Sequence, residues 1–145
     1  MLSEQEIIRR ESLQKLREHG IDPYPAEEYK RTHYSSDILD NYKEGEKVII
    51  AGRLLRRKIQ GKASFGVIQD ARGKIQVYFN RDTICPDEDK SIYNDVFKKW
   101  LDLGDFIGIE GEVFKTRVGE ITIDVHQFHL LSKSLKPLPL PKTDK

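Results

Sequence analysis

The residues of this sequence whose types suit ligand chemistry fall on three neighbouring predicted strands. Arg57 projects from the first strand, Phe65 lies early in the second, and Gln76 and Tyr78 project from the third. Antiparallel strands can bring such side chains onto one face of a sheet. A guanidinium and an amide offer donors and acceptors to the edge of a base, and an aromatic ring offers a surface for stacking. The pattern favours a site for single-stranded RNA.

Two other interpretations of this face stay open at this stage. The alternation around Phe65 does not settle whether its ring points outward, so the face could instead bind a protein or bind nothing. A protein-interaction barrel would carry an apolar patch here. A general single-strand-binding barrel would be indifferent to base sequence and would bind DNA about as well as RNA.

Positive charge is concentrated beside this face although the chain as a whole is nearly neutral. The 145 residues include 25 Lys and Arg against 24 Asp and Glu, a formal net charge of +1. The segment 53–58 and Lys62 are basic, whereas acids gather over 37–46 and 87–89. Because phosphate contacts depend on where the Lys and Arg side chains lie, we expect phosphate or other RNA contacts from Arg53, Lys62 and Tyr78.

The sequence predicts no catalytic residue and no metal site. Cys85 is the one cysteine, so no disulfide can form within the chain, and the four histidines show no zinc-ligand spacing with it. No glycine-rich loop has the spacing that holds a phosphate. The single thiol, the lack of an apolar run of roughly 20 residues and the polar N-terminus lead us to expect a cytoplasmic protein without membrane contact.

Five segments have strand patterns. Apolar residues alternate from Lys47 to Arg57, which puts Arg53 and Arg57 on one face, and further strands are predicted over 64–70, 74–80, 106–115 and 120–130. The third strand should point Ile75, Val77 and Phe79 inward. A tight turn over 71–74 joins the second and third strands.

Helical patterns occur between the third and fourth strands and at the N-terminus. Between the strands, helical spacing relates Ile92, Val96, Phe97, Trp100 and Leu103, and Gly104 ends the helix. At the N-terminus, Ser3 and Glu6 fit a capping box for a helix to His19. Its thin apolar stripe (Leu2, Leu13 and Leu16, with Ile8 at the edge) predicts a helix on the surface, not one central to a core. A short helix is expected near 36–42.

This order of elements predicts an all-β core with flanking helices. Five strands with an amphipathic helix between the third and fourth fit a five-stranded Greek-key barrel with a plug helix, whereas an immunoglobulin-like sandwich needs about seven strands. We divide the chain into an N-terminal helix and connector (1–46), the barrel (47–134) and a Pro-rich linker (135–145), whose prolines at 137, 139 and 141 preclude a helix.

Several motifs, in this order and spacing, resemble the anticodon-binding domain of class II lysyl-tRNA synthetases of the bacterial type. They are GRLLRRKIQGKASF at 52–65, KIQVYFNRD at 74–82, FKKWLDLGD at 97–105, GEVFKT at 111–116 followed by Gly119-Glu120, and LLSKSLKPLP at 130–139. The resemblance runs over essentially the whole chain and implies an OB-fold barrel. The polylysine extension of many eukaryotic relatives is missing. The long acidic loop 83–91, Cys85 and Gly66 depart from the family pattern.

The resemblance also implies a role for individual residues in binding the uridine-rich anticodon loop of lysine tRNA. Phe65 matches the family's stacking ring, Arg57 and Gln76 match its polar readers of the anticodon, and Glu120 matches an acidic residue that contacts an anticodon base. The parent enzyme would be a homodimer that charges tRNA with lysine, using ATP and magnesium held by a catalytic domain that this sequence lacks. The 145 residues alone are therefore expected to be non-catalytic, to bind no cofactor and to be a monomer.

Overall fold

The computed structural model describes residues 3–18, 20 and 29–134, and its strands form a closed barrel. Each strand is hydrogen-bonded to two neighbours in the order β1-β2-β3-β5-β4, with β4 returning to β1. The pairings are antiparallel except for the parallel pair β3–β5. The predicted five-stranded barrel is confirmed. Its strands are β1 (Lys47–Gln60), β2 (Ala63–Asp70), β3 (Gly73–Asn80), β4 (Phe106–Lys115) and β5 (Ile121–Ser132).

Apolar side chains from alternate strand positions fill the barrel. Leu54, Ile68 and Ile75 lie in register across β1, β2 and β3, and none is more than 2% exposed. On β3 the inward placement of Ile75, Val77 and Phe79 is confirmed. Burial of this kind stabilises a fold by about 25 cal/mol for each Å² of apolar surface removed from water, so the alternation fixes which face of each strand points outward.

A β-bulge interrupts this alternation in β1. The register with β2 shifts between Leu54 and Arg56, so that Arg56 pairs with Val67 and Arg57 pairs with Gly66. One extra residue in a bulge reverses the direction of every side chain that follows it. The predicted placement of Arg57 on the same outward face as Arg53 is therefore wrong.

The glycine opposite Arg57 makes room for the bulge. A Cβ atom at Gly66 would lie 3.0 Å from the carbonyl oxygen of Arg56 and 3.4 Å from a methyl group of Val77. A side chain at this position would press on the bulged backbone. The departure of Gly66 from the family pattern thus falls opposite the residues that follow the bulge in β1.

After a short helix α3 (Arg81–Ile84), the plug helix α4 (Ile92–Trp100) covers one end of the barrel with π-helical turns. Its last turn is closed by a hydrogen bond from the Leu101 N–H to the Val96 carbonyl, five residues back. This wider turn directs Tyr93, Phe97 and Leu101 into the core, where each is 0% exposed. The burial of Val96 and Phe97 is confirmed, whereas Ile92 is 39% exposed and Trp100 is only half-buried.

The N-terminal helix α1 (Glu4–Glu18) docks on the plug-helix end of the barrel. Ser3 Oγ accepts a hydrogen bond from the Glu6 N–H at 3.1 Å, which confirms the serine half of the predicted capping box, whereas the Glu6 carboxylate accepts from the Ser3 hydroxyl. Leu16 is fully buried in the core, and Arg9 donates to the carbonyls of Leu103 (2.9 Å) and Ser134 (3.2 Å). The helix lies on the surface as predicted, with only Arg9, Ser12 and Leu16 buried, and Leu16 reaches the core.

A second short helix, α2 (Ser35–Asp40), begins one residue earlier than expected and is fastened to the end of β2. The backbone N–H and the hydroxyl of Ser35 both donate to the Asp70 carboxylate, at 2.6 and 2.8 Å. None of the helices in the described ranges is long and apolar enough to cross a membrane. Leu2, His19, the connector over 21–28 and the linker over 135–145 lie outside the described residues.

Candidate nucleic-acid interface

Three aromatic side chains lie in a row on the outside of the barrel. The ring centroids of Phe65 and Tyr78 are 5.0 Å apart, and those of Tyr78 and Phe114 are 6.2 Å apart. All three side chains are half-buried, so each is held in place while part of it faces solvent. We call the outer surface of the barrel around these three rings the ring face. Exposed rings at such spacing can stack unpaired bases.

The register shows why Phe65 points outward. Phe65 pairs with Lys58 on β1 and with Tyr78 on β3, whereas its neighbours Ser64 and Gly66 are buried. In a strand the side chains of consecutive residues point to opposite faces. The structure thus answers the question that the sequence left open, because Phe65 and Tyr78 share the outer face.

Gln76 lies on the same face, where a short chain of hydrogen bonds holds its amide. Gln76 pairs with Thr122 across the parallel ladder, and its Nε2 donates to the Thr122 hydroxyl at 3.1 Å. That hydroxyl donates in turn to the carbonyl oxygen of Glu120, also at 3.1 Å. Thr122 is 0% exposed, whereas Gln76 is half-buried. The amide is therefore oriented by a buried hydroxyl on the neighbouring strand, while part of the Gln76 side chain faces solvent.

Glu120 is presented by the turn between β4 and β5. Its backbone carbonyl accepts from the Thr116 N–H at 3.0 Å, and its own N–H donates to the Thr116 hydroxyl at 3.1 Å. Gly119 has a φ of +85°, which favours glycine at that point of the turn. Hydrogen bonds to Thr116 therefore hold both the N–H and the carbonyl of Glu120. The Glu120 side chain is exposed and so is accessible to a ligand.

Arg57 makes contacts of a different kind. Its Nη1 donates to the carbonyls of Phe97 (2.8 Å) and Leu101 (2.7 Å) at the end of the plug helix. Burial lowers the pKa of Arg57, while the nearby Asp102 and Asp105 carboxylates act in the opposite direction. These bonds satisfy carbonyls that a helix end leaves without partners. The structure does not bring Arg57 into the row with Phe65 and Tyr78, so its role as a base reader remains a prediction.

The bulge brings two other basic residues to the ring face, and the sequence analysis missed both. Lys58 is the β1 partner of Phe65, and Arg56 is the β1 partner of Val67, which in turn pairs with Gln76. Both basic residues are exposed. The run Arg56-Arg57-Lys58 indicated local positive charge. An uninterrupted strand alternation, however, predicted that Arg57 would be the residue of this run on the outer face.

Of the remaining predicted contacts, Lys62 follows the end of β1, whereas Arg53 lies in the middle of that strand. Lys62 is in the turn after β1, is 64% exposed at its side chain, and lies 3.7 Å from the Asp82 carboxylate. Arg53 is exposed and pairs with Gln69 on the other side of the bulge. Lys62 is therefore near the Lys58–Phe65 end of the hairpin, while Arg53 is not.

Carboxylates occupy the other side of the ring face. Asp124 pairs with Tyr78 on β3 and with Glu112 on β4. Burial raises the pKa of Asp124, Glu112 raises it further, and His126 lowers it. Because carboxylates repel phosphates, the phosphates of a bound strand should lie along β1 and β2, with the bases turned towards β3 and β5.

A groove of about 570 Å³ lies apart from this face, between α3, the plug helix and β5. Apolar and histidine side chains line it, among them Ile84, Val96 and His129. Stacking on a sheet needs exposed rings more than an enclosed cavity, so the ring face remains the candidate interface. The described residues include no group of three or more His, Cys, Asp or Glu side chains that could hold a metal ion.

A closed five-stranded barrel with outward rings, an oriented amide and basic residues along one hairpin is the architecture of an oligonucleotide-binding barrel. Residues 48–131, more than half of the chain, match the family described as OB-fold nucleic acid binding domain. The chain belongs to this family.

More specific similarity is to lysine–tRNA ligases. The chain is 64% identical over 144 residues to the lysine–tRNA ligase of Christiangramia forsetii, covering 99% of this chain and 25% of that protein. It is 53% identical over 146 residues to the enzyme of Porphyromonas gingivalis (97% and 25% covered). It is 49% identical over 134 residues to that of a Thermoanaerobacter species (91% and 26% covered). The chain thus spans about a quarter of the length of these relatives.

Proposed function

We propose that this chain is the tRNA-recognition barrel of a lysine–tRNA ligase and that it binds the anticodon loop of lysine tRNA on the ring face. The observation that carries the proposal is the outward ring of Phe65 beside the oriented amide of Gln76. This pair supplies stacking and edge recognition at one place. The similarity to lysine–tRNA ligases over nearly the whole chain supports the choice of tRNA.

The wider activity of the protein is part of the same proposal. Charging of tRNA with lysine would use ATP and magnesium, and the enzyme would act in the cytoplasm as a homodimer, as the family resemblance implies. The described residues offer no cluster of side chains that fits a metal ion. The barrel over 47–134 would do the recognition, with 1–46 and 135–145 as attached segments.

The division of labour on the ring face follows from the chemistry of the groups. A ring stacks on any base, so Phe65 contributes affinity with little discrimination. Uracil presents an N–H donor at N3 and carbonyl acceptors, whereas cytosine has no proton at N3 and carries an amino donor instead. Gln76 and Glu120 can accept a hydrogen bond from the uracil N3–H. Lys58 and Arg56 lie where they can neutralise phosphates.

The test is a titration of two anticodon hairpins, one with the uridines of lysine tRNA and one with cytosine replacing them, at fixed salt. Phe65→Leu should weaken binding of both hairpins, by roughly 1–3 kcal/mol for a lost stacked base. Phe106→Leu is the matched control, because Phe106 is also half-buried on an outer strand position but pairs with Arg53 beyond the bulge.

Variants of Gln76 and Glu120, which are proposed to recognise the base edge, should behave differently from variants of the stacking residue Phe65. Gln76→Ala and Glu120→Gln should each weaken the uridine hairpin more than the cytosine hairpin, because a site built for a donor leaves polar groups unpaired when the donor is absent. Circular dichroism of each variant checks that it is folded. Wild-type affinity in a folded Phe65→Leu variant, or equal binding of the two hairpins by the wild type, would contradict the proposed function.

A further inference from the structure

We propose that the buried hydroxyl of Thr122 is a positioning group that makes Gln76 selective for uridine. The inference rests on the proposed function and adds a residue that contacts no RNA. Thr122 is the β5 partner of Gln76, is 0% exposed, and its hydroxyl links Gln76 to Glu120 through two hydrogen bonds.

The last acceptor in this series of hydrogen bonds sets the direction of the other bonds. The last member is the Glu120 carbonyl, which can only accept. A threonine hydroxyl has one proton and two lone pairs, and here the proton goes to that carbonyl at 3.1 Å. The hydroxyl can therefore offer only a lone pair to Gln76.

That lone pair decides which end of the Gln76 amide faces inward. A glutamine amide has a donor end and an acceptor end of nearly the same size, so packing alone does not distinguish its two orientations. Only the NH₂ end can bond to a hydroxyl whose proton is used elsewhere, and Nε2 lies 3.1 Å from the Thr122 oxygen. The Oε1 acceptor is consequently the end left for a base, which suits the N3–H of uracil and disfavours the unprotonated N3 of cytosine.

The same hydroxyl also ties the second proposed reader to the first. The Glu120 carbonyl that accepts from Thr122 accepts from the Thr116 N–H as well, at 3.0 Å, in the turn that presents the Glu120 side chain. Loss of the hydroxyl would thus release the amide and remove one bond from that turn. A structural threonine would affect stability alone, whereas this one should affect the choice of base.

The experiment measures the affinity ratio between the uridine and cytosine hairpins for the full chain. Thr122→Val keeps the volume of the side chain and removes the hydroxyl, and should lower the ratio by roughly three- to tenfold, the scale of one net hydrogen bond. Thr122→Ser keeps the hydroxyl and should keep the ratio. Ser64→Ala serves as the control, because Ser64 is a buried hydroxyl that bonds to Tyr93 inside the barrel at 2.6 Å.

A double-mutant cycle tests whether Thr122 acts through Gln76. In a Gln76→Ala background, Thr122→Val should have a clearly smaller effect on the ratio, since the amide that it orients is gone and only the bond to the Glu120 turn is lost. An unchanged ratio in folded Thr122→Val, an equal effect in both backgrounds, or the same loss of ratio in Ser64→Ala would overturn the inference. Should Thr122→Val fail to fold, Thr122→Ala takes its place under the same criteria. Equal binding of both hairpins by the wild type would instead overturn the proposed function.

Discussion

Asp105 shows how much a single buried carboxylate holds together at the plug-helix end of the barrel. It is 0% exposed and accepts from the Lys133 ammonium (2.7 Å) and from the backbone N–H groups of Asp102 and Ser134 (both 2.8 Å). Burial raises the pKa of Asp105, while these donors act to lower it. One side chain thus joins the end of the plug-helix segment to the end of β5.

Asp105→Asn should destabilise the fold by roughly 3–5 kcal/mol, as removal of one partner from a buried ion pair does. Both carboxylate oxygens accept from N–H groups, so either orientation of the new amide sets an NH₂ against a donor. Asp102→Asn should cost less, because the Asp102 side chain is 23% exposed. Urea denaturation of the three proteins measures the difference, and equal losses for the two variants would refute this account.

Arg57 is the residue where the sequence-based and structure-based expectations separate. Arg57→Ala should destabilise the fold by roughly 1–3 kcal/mol, because the carbonyls of Phe97 and Leu101 lose their donor. It should leave the affinity ratio between uridine and cytosine hairpins unchanged. Thermal melting and hairpin titration of the same variant separate the two roles. A reduced ratio without a loss of stability would favour the base-reading role that the family resemblance implies.

At the scale of elements, most strand positions could be predicted and two departures from regular periodicity could not. Alternation located the inward residues of β3 because one face of that strand is packed against the core. The predicted outward direction of Arg57 and the predicted core position of Trp100 were wrong for a common reason. A bulge in β1 and an i→i+5 turn in the plug helix each add one residue to the regular period.

The residue types of a segment do not show where a bulge or a wide helical turn occurs, because its position depends on what the segment packs against. The bulge fits β1 to both β2 and β4, and the wide turn lets Tyr93, Phe97 and Leu101 enter the barrel end together. The sequence therefore predicted the ring-face residues of β2 and β3, but it did not predict those of β1, Arg56 and Lys58. Phe114 was missed because no pattern within β4 shows which strand lies beside it.

The plug helix gives this explanation a direct test. Phe97 is fully buried, with its ring centroid 4.2 Å from that of Phe79 and 5.4 Å from that of Tyr93. Phe97→Ala should destabilise the fold by roughly 3–5 kcal/mol. Trp100→Ala, which a regular helix would make the more damaging change, should cost only roughly 1 kcal/mol, because Trp100 is half-buried. Urea denaturation ranks the two variants, and the reverse order would mean that the wide turn is wrong.

For the whole molecule, the distribution of charge matters more than its sum. The net charge is +1, yet the β1 side of the ring face carries the exposed Arg56 and Lys58, and its β5 side carries Asp124 next to Glu112 of β4. A bound strand should therefore meet few phosphate-binding residues, all on one side. This arrangement suits weak, oriented binding of a loop and does not suit tight binding of any long strand.

The salt dependence of hairpin binding measures that arrangement. Each phosphate contact on a single strand contributes about −0.7 to the slope of log K against log salt concentration, so a total of roughly −2 to −4 is expected. Lys58→Ala should make the slope shallower by roughly 0.7, the loss of one contact. Lys15→Ala removes the same charge from an exposed position on α1, which docks at the plug-helix end, and should leave the slope unchanged. Equal changes in the two variants would mean that net charge governs binding, and an unaltered slope in Lys58→Ala would remove Lys58 from the interface.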